Sequence, residues 1–388
     1  MSDRVHVPHR LALPTTQLGH HYAIAPVTPD DVTERAFNLA YDQYQSYAGS
    51  PDVQAQVLAE AVDDINFYDE VQQAVARIAG TALITPTFWH EGLLVKDETA
   101  QPTKAYKIRG ATNFILKHVV QAHEAGVITA SAGNHGQAVA LAAAKIGIEA
   151  MVVVPEGTPE TKKAGITAQG GRVVVYGQDY AAASHKALEI NARQQGLYVP
   201  AFNHRDIMAG QATVAHELVQ QAGDIQNLVV PTGGGGLLAG VAKYLAVAAP
   251  QLQVYGAGIT GQSAVETAFL RGNSCQTNPN KFADGVAVAA LGDQTWPDIK
   301  RHAKGALTVN EALVRRIIGA LTNQGHILEG AGAVGLAAAT ANRQQLVGLT
   351  AVIATGGNID PDVLLACREA AGCAPPQRLT RRLEFSTI

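Results

Sequence analysis

Cysteine is scarce: the chain holds three, Cys275, Cys367 and Cys373, an odd number with no Cys-x-x-Cys spacing. That excludes a disulfide framework and a zinc knuckle, and so few thiols suit a reducing cytoplasm. Dense runs of lysine or arginine are missing too, and the net charge is only −4. Nucleic acid and anionic membrane surfaces are therefore poor partners, and a small metabolite is a better one. No apolar stretch reaches the roughly 18 residues of a membrane span, and no apolar run follows a basic start. The expectation is neither span nor signal peptide. His-Glu-x-x-His, histidines paired at i, i+4 and Gly-x-Ser-x-Gly are all absent, which removes a zinc hydrolase and a serine-elbow hydrolase. His6, His9, His20 and His21, in a proline-interrupted terminal segment, read as a solvated tail rather than metal ligands.

What is present is glycine, 38 residues of it, in a chain of 388 that exceeds the usual size of one hydrophobic core. Two domains are expected. Aromatic residues crowd the first ninety positions, among them Tyr22, Phe37, Tyr41, Tyr44 and Tyr47, and mark a separate N-terminal element. Phe37, Tyr41 and Tyr44 recur at i, i+4, i+7 behind Asp30 and Asp31, and Pro51 with Val53 and Val57 opens another helix, so residues 30–80 read as helices covering something larger. From about residue 90, β-branched runs alternate with alanine-rich helical stretches. The runs are Val127–Ala130, Ala150–Val154, Arg172–Tyr176, Leu197–Ala201, Leu228–Val230, Gln253–Gly256 and Leu349–Ala354. Such alternation means βαβ units and a parallel sheet. Between Gln262 and Glu311 the pattern weakens.

Gly233, Gly234, Gly235 and Gly236 follow the Leu228–Val230 strand and precede the helix-like Leu237–Ala242. A strand, a glycine loop and a helix start aim successive N–H groups and the positive end of the helix dipole at one anion, so a phosphate is expected there. No Walker lysine follows, so a nucleoside triphosphate is not implied. Gly256–Gly261 and Gly330–Gly335 each fit the dinucleotide pattern Gly-x-Gly-x-x-Gly. Neither has an acidic residue about 20 positions on to hold ribose hydroxyls, which argues against a nicotinamide-dependent dehydrogenase. Ser131-Ala132-Gly133-Asn134-His135-Gly136 ends a strand and opens a helix, where open α/β sheets bind ligands, and its amides suit a carboxylate. Asn134 has an amide to give to a phenolate-type oxygen. Lys107 by itself looks like any surface lysine.

Taken in order, these segments resemble the fold-type II pyridoxal 5′-phosphate enzymes, the tryptophan synthase β-like α/β fold, and most closely the threonine dehydratase (threonine ammonia-lyase) group. That group also contains serine dehydratases and serine racemase. The resemblance runs from Thr85-Pro86 through Lys96-Asp97-Glu98, Lys107-Ile108-Arg109-Gly110-Ala111, Ser131–His135, Ala209-Gly210-Gln211 and Gly233–Gly236. It continues through Ala283-Asp284-Gly285-Val286 and Ala331–Gly335 to Thr355-Gly356-Gly357-Asn358. It implies two doubly wound parallel-sheet domains behind an N-terminal helical extension of residues 1–80. The large cofactor-binding domain would be residues 81–124 and 206–388, the small one residues 125–205, with the cofactor between them. It implies that Lys107 carries pyridoxal 5′-phosphate as a Schiff base and serves as general base. Gly233–Gly236 would hold the phosphate, Asn134 the ring oxygen, Thr355 the pyridine nitrogen, and Ser131, Ala132, Gly133, Asn134 and His135 the substrate carboxylate.

The implied reaction is β-elimination and deamination of L-threonine to 2-oxobutanoate and ammonia by a cytoplasmic homodimer or homotetramer. Serine, 3-hydroxyaspartate or diaminopropionate ammonia-lyase chemistry on the same fold is the alternative. Some positions depart from the family pattern. Ala105 and Lys104 stand where a serine and a glycine are common. Ala132 stands where racemases of the family have serine, which disfavours racemisation, and His135 stands where cysteine synthases have threonine, which disfavours β-replacement. Gly256-Ala257-Gly258 lacks the glutamate of members with a cation site, so no metal site is expected.

Overall fold

In chain order the strands are β1 (Thr87–His90), β2 (Leu93–Asp97), β3 (Val127–Ala130), β4 (Ala150–Val154), β5 (Gly171–Val175), β6 (Leu197–Tyr198), β7 (Asn227–Pro231), β8 (Gln253–Ile259), β9 (Gly305–Val309) and β10 (Thr350–Ala354). They belong to a computed structural model that describes Glu34, Asn38 and residues 51–278 and 282–372. The expected aromatic stripe of Phe37, Tyr41 and Tyr44, with Tyr22, Tyr47, His6, His9, His20, His21 and Cys373, lies outside the described residues. Two sheets form: six strands in the order β1-β2-β10-β7-β8-β9, and four in the order β5-β4-β3-β6. Every pairing is parallel except β1 with β2.

Both faces of each sheet are covered, which is why the strands read as continuous apolar runs instead of alternating with polar residues. Along β7, Leu228 and Val230 enter the core on one face and Val229 the core on the other. Along β10, Ala351 and Ile353 alternate in the same way with Val352 and Ala354. In the four-stranded sheet Val153 packs with Ile128 and Ala130, while Val152 and Val154 pack with Ile166 on the opposite side. The architecture is doubly wound α/β. Among the described residues no helix is long and apolar enough to cross a membrane.

All seven expected strand runs contain strands; five differ in their bounds, and the two largest changes fall on β6 and β8. The Leu197–Ala201 run ends as strand β6 at Tyr198, although the Val199 N–H still donates to the Ile128 carbonyl of β3 at 2.9 Å. The Gln253–Gly256 run extends to Ile259, and Gly256 and Gly258 pair with Ala306 and Thr308 of β9. The first dinucleotide-like run therefore begins inside a strand and not in a loop that opens a helix. The second, Gly330–Gly335, lies within the Gly330–Ala341 helix, where a side chain on Gly332 would run into the Gly356 carbonyl. Both glycine patterns serve close packing. The β1–β2 hairpin was not evident in the sequence; its two-residue turn has positive φ at both Glu91 and Gly92, and glutamate is an uncommon residue there.

The Pro51–Ile78 helix lies over the Arg205–Gln221 and Gly236–Ala248 helices. Phe67 and Val71 are buried in the core of the large sheet, and Tyr68 stacks on Tyr244 at 5.4 Å. Ion pairs finish the seam: Arg205 bonds Asp63 at 2.7 Å and Glu70 at 2.9 Å, and buried Lys243 bonds Asp63 and, at 2.8 Å, Asp298. The Pro51–Ile78 helix is thus a fastened cover.

A second ionic group lies deeper. Arg109, fully buried, bonds both Glu98 oxygens at 2.7 Å and both Glu217 oxygens at 2.6 and 2.9 Å. Lys96 gives its three protons to the Thr85 carbonyl (2.6 Å), Glu217 (2.7 Å) and Gln221 (2.9 Å). Two cations face two carboxylates, and β2, the Lys107–Lys117 helix and the Arg205–Gln221 helix are tied at one point. Arg109→Met should lower stability by about 3–5 kcal/mol, because it leaves buried carboxylates short of a partner. The urea-unfolding midpoint of the apoprotein measures this.

Candidate active site

Lys107 is the first residue of the Lys107–Lys117 helix, and the loop before it is stitched to the loop after β10. Tyr106 N–H donates to the Thr355 carbonyl at 3.1 Å, and Gly357 N–H to the Lys104 carbonyl at 2.9 Å. Ala105 and Gly356 form an antiparallel bridge, and Asn358 Nδ2 donates to the Thr103 carbonyl at 2.8 Å. These backbone bonds fix Lys107 beside Thr355. The Lys107 amine donates to the carbonyl of Ala201, just past β6, at 2.7 Å. Burial lowers its pKa from 10.5 to about 8. A cation at a helix N-terminus is also opposed by the helix dipole.

The Ser131–His135 segment runs from the end of β3 into the Asn134–Ala144 helix. Ser131 Oγ accepts from Gly133 N–H at 3.2 Å and holds the turn. Buried His135 lies 3.1 Å from the Val199 carbonyl. Burial first, and then the nearby Lys107 charge, push its pKa down to about 3, so it is neutral at physiological pH. Asn134 Nδ2 donates to Glu329 Oε1 at 2.6 Å, and Asn134 Oδ1 accepts from Asn358 Nδ2 at 2.8 Å.

Gly233–Gly236 join β7 to the Gly236–Ala248 helix. Gly235 has φ +94°, a conformation that side chains resist, and no side chain caps the helix start. The first N–H groups of that helix are therefore free of an intramolecular side-chain acceptor, as an anion cradle requires. Substituents would not fit: Gly234 lies against the Phe202 ring, and a Cβ on Gly236 would stand 2.8 Å from the Phe202 carbonyl. Phe202 directly follows the carbonyl that holds Lys107, so cradle and lysine meet at residues 201–202. Thr355 is buried, its hydroxyl donating to the Ala331 carbonyl at 3.2 Å.

The residues singled out in the sequence thus gather at the carboxyl ends of β3, β6, β7 and β10, the ligand-binding edge of open α/β sheets. They fit pyridoxal 5′-phosphate: an amine of depressed pKa, an uncapped glycine-lined helix start and a neutral hydroxyl at one sheet edge. Among the described residues, no group of three or more His, Cys, Asp or Glu side chains is placed to hold a metal ion.

Glu329 lies outside the motifs that single out the other site residues. This residue precedes the Gly330–Ala341 helix and is 7% exposed. Burial and the charge of Asp284 push its carboxyl up to about 8, opposed by the Asn134 hydrogen bond, Lys162 and the Asn358 backbone. A signal existed, since it is the one charged residue in an otherwise apolar run from Ile327 to Ala339.

Comparison with known proteins is consistent with this geometry. Residues 77–356 match the family model described as pyridoxal-phosphate dependent enzyme. A biosynthetic L-threonine dehydratase of Haemophilus influenzae is 35% identical over 250 residues, 64% of this chain and 49% of that protein. An L-threonine ammonia-lyase of Geobacter sulfurreducens is 34% identical over 319 residues, 80% of this chain and 79% of that one. The chain therefore spans about half the length of the first relative and about four-fifths of the second. The processed form of threonine deaminase isoform 2 from Solanum lycopersicum superimposes with a TM-score of 0.73 at 33% identity, over 78% of this chain and 94% of that one.

In the apoprotein the Lys107 amine should become reactive near pH 8, while solvated lysines stay protonated to around 10.5. Competitive acetylation across pH, read by peptide mass analysis, checks this. A Lys107 midpoint equal to that of exposed lysines would show that burial does not depress it.

Proposed function

The chain belongs to the pyridoxal-phosphate dependent enzymes, on the threonine dehydratase branch, and on that footing we propose that it converts L-threonine to 2-oxobutanoate and ammonia. One observation carries the reading: a lysine amine that donates to a neutral carbonyl and has no carboxylate partner among the described residues, its pKa lowered to about 8, stands at the sheet edge shared by the glycine loop and the Ser131–His135 turn. The relatives named for threonine support the choice of substrate. The same proposal places the enzyme in the cytoplasm as a homodimer or homotetramer. It also divides the chain into the extension through residue 80, a large domain of residues 81–124 and 206–388, and a small domain of residues 125–205.

When bound, pyridoxal phosphate supplies an aldehyde that joins the substrate nitrogen and a conjugated ring that draws electrons from the α-carbon. Lys107 would hold it covalently at rest, with Gly233–Gly236 around the phosphate, Asn134 at the ring oxygen and Thr355 at the ring nitrogen. A threonine hydroxyl at that last position does not enforce a charged pyridinium as a carboxylate would, and this favours quick loss of a β-substituent.

The Ser131–His135 turn would bind the substrate carboxylate through its backbone amides, with neutral His135 adding no competing charge. With substrate bound, the freed Lys107 amine would take the α-proton; an amine of pKa about 8 is neutral in roughly a tenth of molecules at pH 7, far more than a solvated lysine. The β-hydroxyl would leave as water, and the α-proton taken up by Lys107 balances the proton that the leaving hydroxide gains. The released enamine tautomerises to an imine and takes up one water to give the keto acid and ammonia, so water lost equals water gained.

Keto-acid release should be measured across threonine, serine, 3-hydroxyaspartate and diaminopropionate. Threonine should give 2-oxobutanoate at the highest kcat/KM, and Lys107→Ala should lose on the order of 10²-fold or more in rate. No product from threonine while another substrate reacts would replace the substrate. Wild-type rate in Lys107→Ala would reject the role of Lys107.

A further inference from the structure

A chain of hydrogen bonds runs from the loop before Lys107 to Glu329, and its direction is set at one end. The Thr103 carbonyl is only an acceptor, so the end of the Asn358 amide that meets it at 2.8 Å is Nδ2. The same Nδ2 donates to Asn134 at 2.8 Å, so Asn134 turns its Oδ1 toward Asn358. Its Nδ2 must then face the other way, and there it meets Glu329 Oε1 at 2.6 Å. A backbone carbonyl thereby decides which way up the Asn134 side chain lies, and Glu329 closes the chain with an acceptor. One N–H of the Asn134 amide is used by Glu329, and the second remains to be given.

Space has been kept for this contact. A Cβ on Gly356 would stand 2.6 Å from Glu329 Oε1 and 3.1 Å from Asn134 Nδ2, so any larger residue there would force the pair apart. Gly356 is itself held by accepting the Glu329 backbone N–H at 3.0 Å, and it bridges to Ala105, two residues before Lys107. Burying a carboxyl group is costly without such a partner, and a helix start needs no buried glutamate for capping: the Glu329 side chain makes no cap bond to the Gly330–Ala341 helix. The pair therefore serves the cleft and not the helix.

We propose that Glu329 is a positioning residue, which grips Asn134 by one amide proton so that the other is offered to the ring oxygen of bound pyridoxal phosphate. This rests on the placement of Asn134 against that oxygen. Gln at position 329 keeps an acceptor oxygen at the same reach, whereas leucine keeps volume and removes the acceptor.

The test is the visible absorption band of the holoenzyme and the dissociation constant for pyridoxal phosphate, measured for Asn134→Ala, Glu329→Leu, Glu329→Gln and Asn358→Leu. Glu329→Leu should shift the band in the same direction as Asn134→Ala and weaken cofactor binding roughly tenfold, the scale of one hydrogen bond to an ionised group. Glu329→Gln should restore the wild-type band. Asn358→Leu cuts the chain from its other side and should shift the band likewise, which keeps the proposal testable if Glu329→Leu fails to fold. A shifted band in Asn134→Ala with unshifted bands in Glu329→Leu and Asn358→Leu would overturn the role of Glu329 and leave that of Asn134 standing. An unshifted band in Asn134→Ala would remove the placement of Asn134 and the proposal with it. A Glu329→Gln band matching that of Glu329→Leu would also overturn it, since an acceptor alone would then not suffice.

Discussion

A lysine that acts as a base near neutral pH must lose its charge there, and proteins achieve this by withholding from it both water and carboxylates. Three lysines with little exposed amine show the difference. Lys243 sits among Asp63, Asp64 and Asp298, and these partners raise its pKa against the effect of burial. Lys96 is lowered by burial, but all its donors are taken, one of them by Glu217. Lys107 alone of the three has no carboxylate partner among the described residues: its amine meets the Ala201 carbonyl and the Tyr106 ring, and burial lowers it to about 8. The first two hold elements together, and the third is free to do chemistry.

That isolation requires a rigid frame, because an amine held by one carbonyl has little to anchor it. The frame comes from both sides of Lys107 in the chain. Upstream, residues 103–106 are stitched to residues 355–358. Downstream, Arg109 binds Glu98 and Glu217 in a charge-balanced buried cluster. Segments that resemble family motifs, Thr85-Pro86, Lys96-Asp97-Glu98 and Arg109, thus turn out to build the scaffold. Lys107 lies between a backbone zipper and an ionic knot, and the glycine loop reaches it through Phe202.

Much of this was legible in the residues. β-branched runs marked the strands of both sheets, because parallel strands buried on two faces need no polar alternation. The glycine loop after β7 stood out, since four glycines exceed the needs of a turn. Lys107 could be singled out only by resemblance, because its environment is made by Ala201, Thr355 and His135, all distant in sequence. The β1–β2 hairpin was hidden by an unusual turn residue at Glu91. β9 lay in a stretch of weak pattern, and it is held by pairing with glycine-bearing β8. Glu329 was missed because its importance is relational: only folding brings Asn134 and Asn358 to it.

The central claim is that one particular amine joins the cofactor, and borohydride reduction of the holoenzyme followed by peptide mass analysis tests it most directly. The account predicts a single pyridoxyl adduct, on Lys107. An adduct on Lys104, Lys96 or any other lysine, or none at all in protein saturated with the aldehyde, would contradict it.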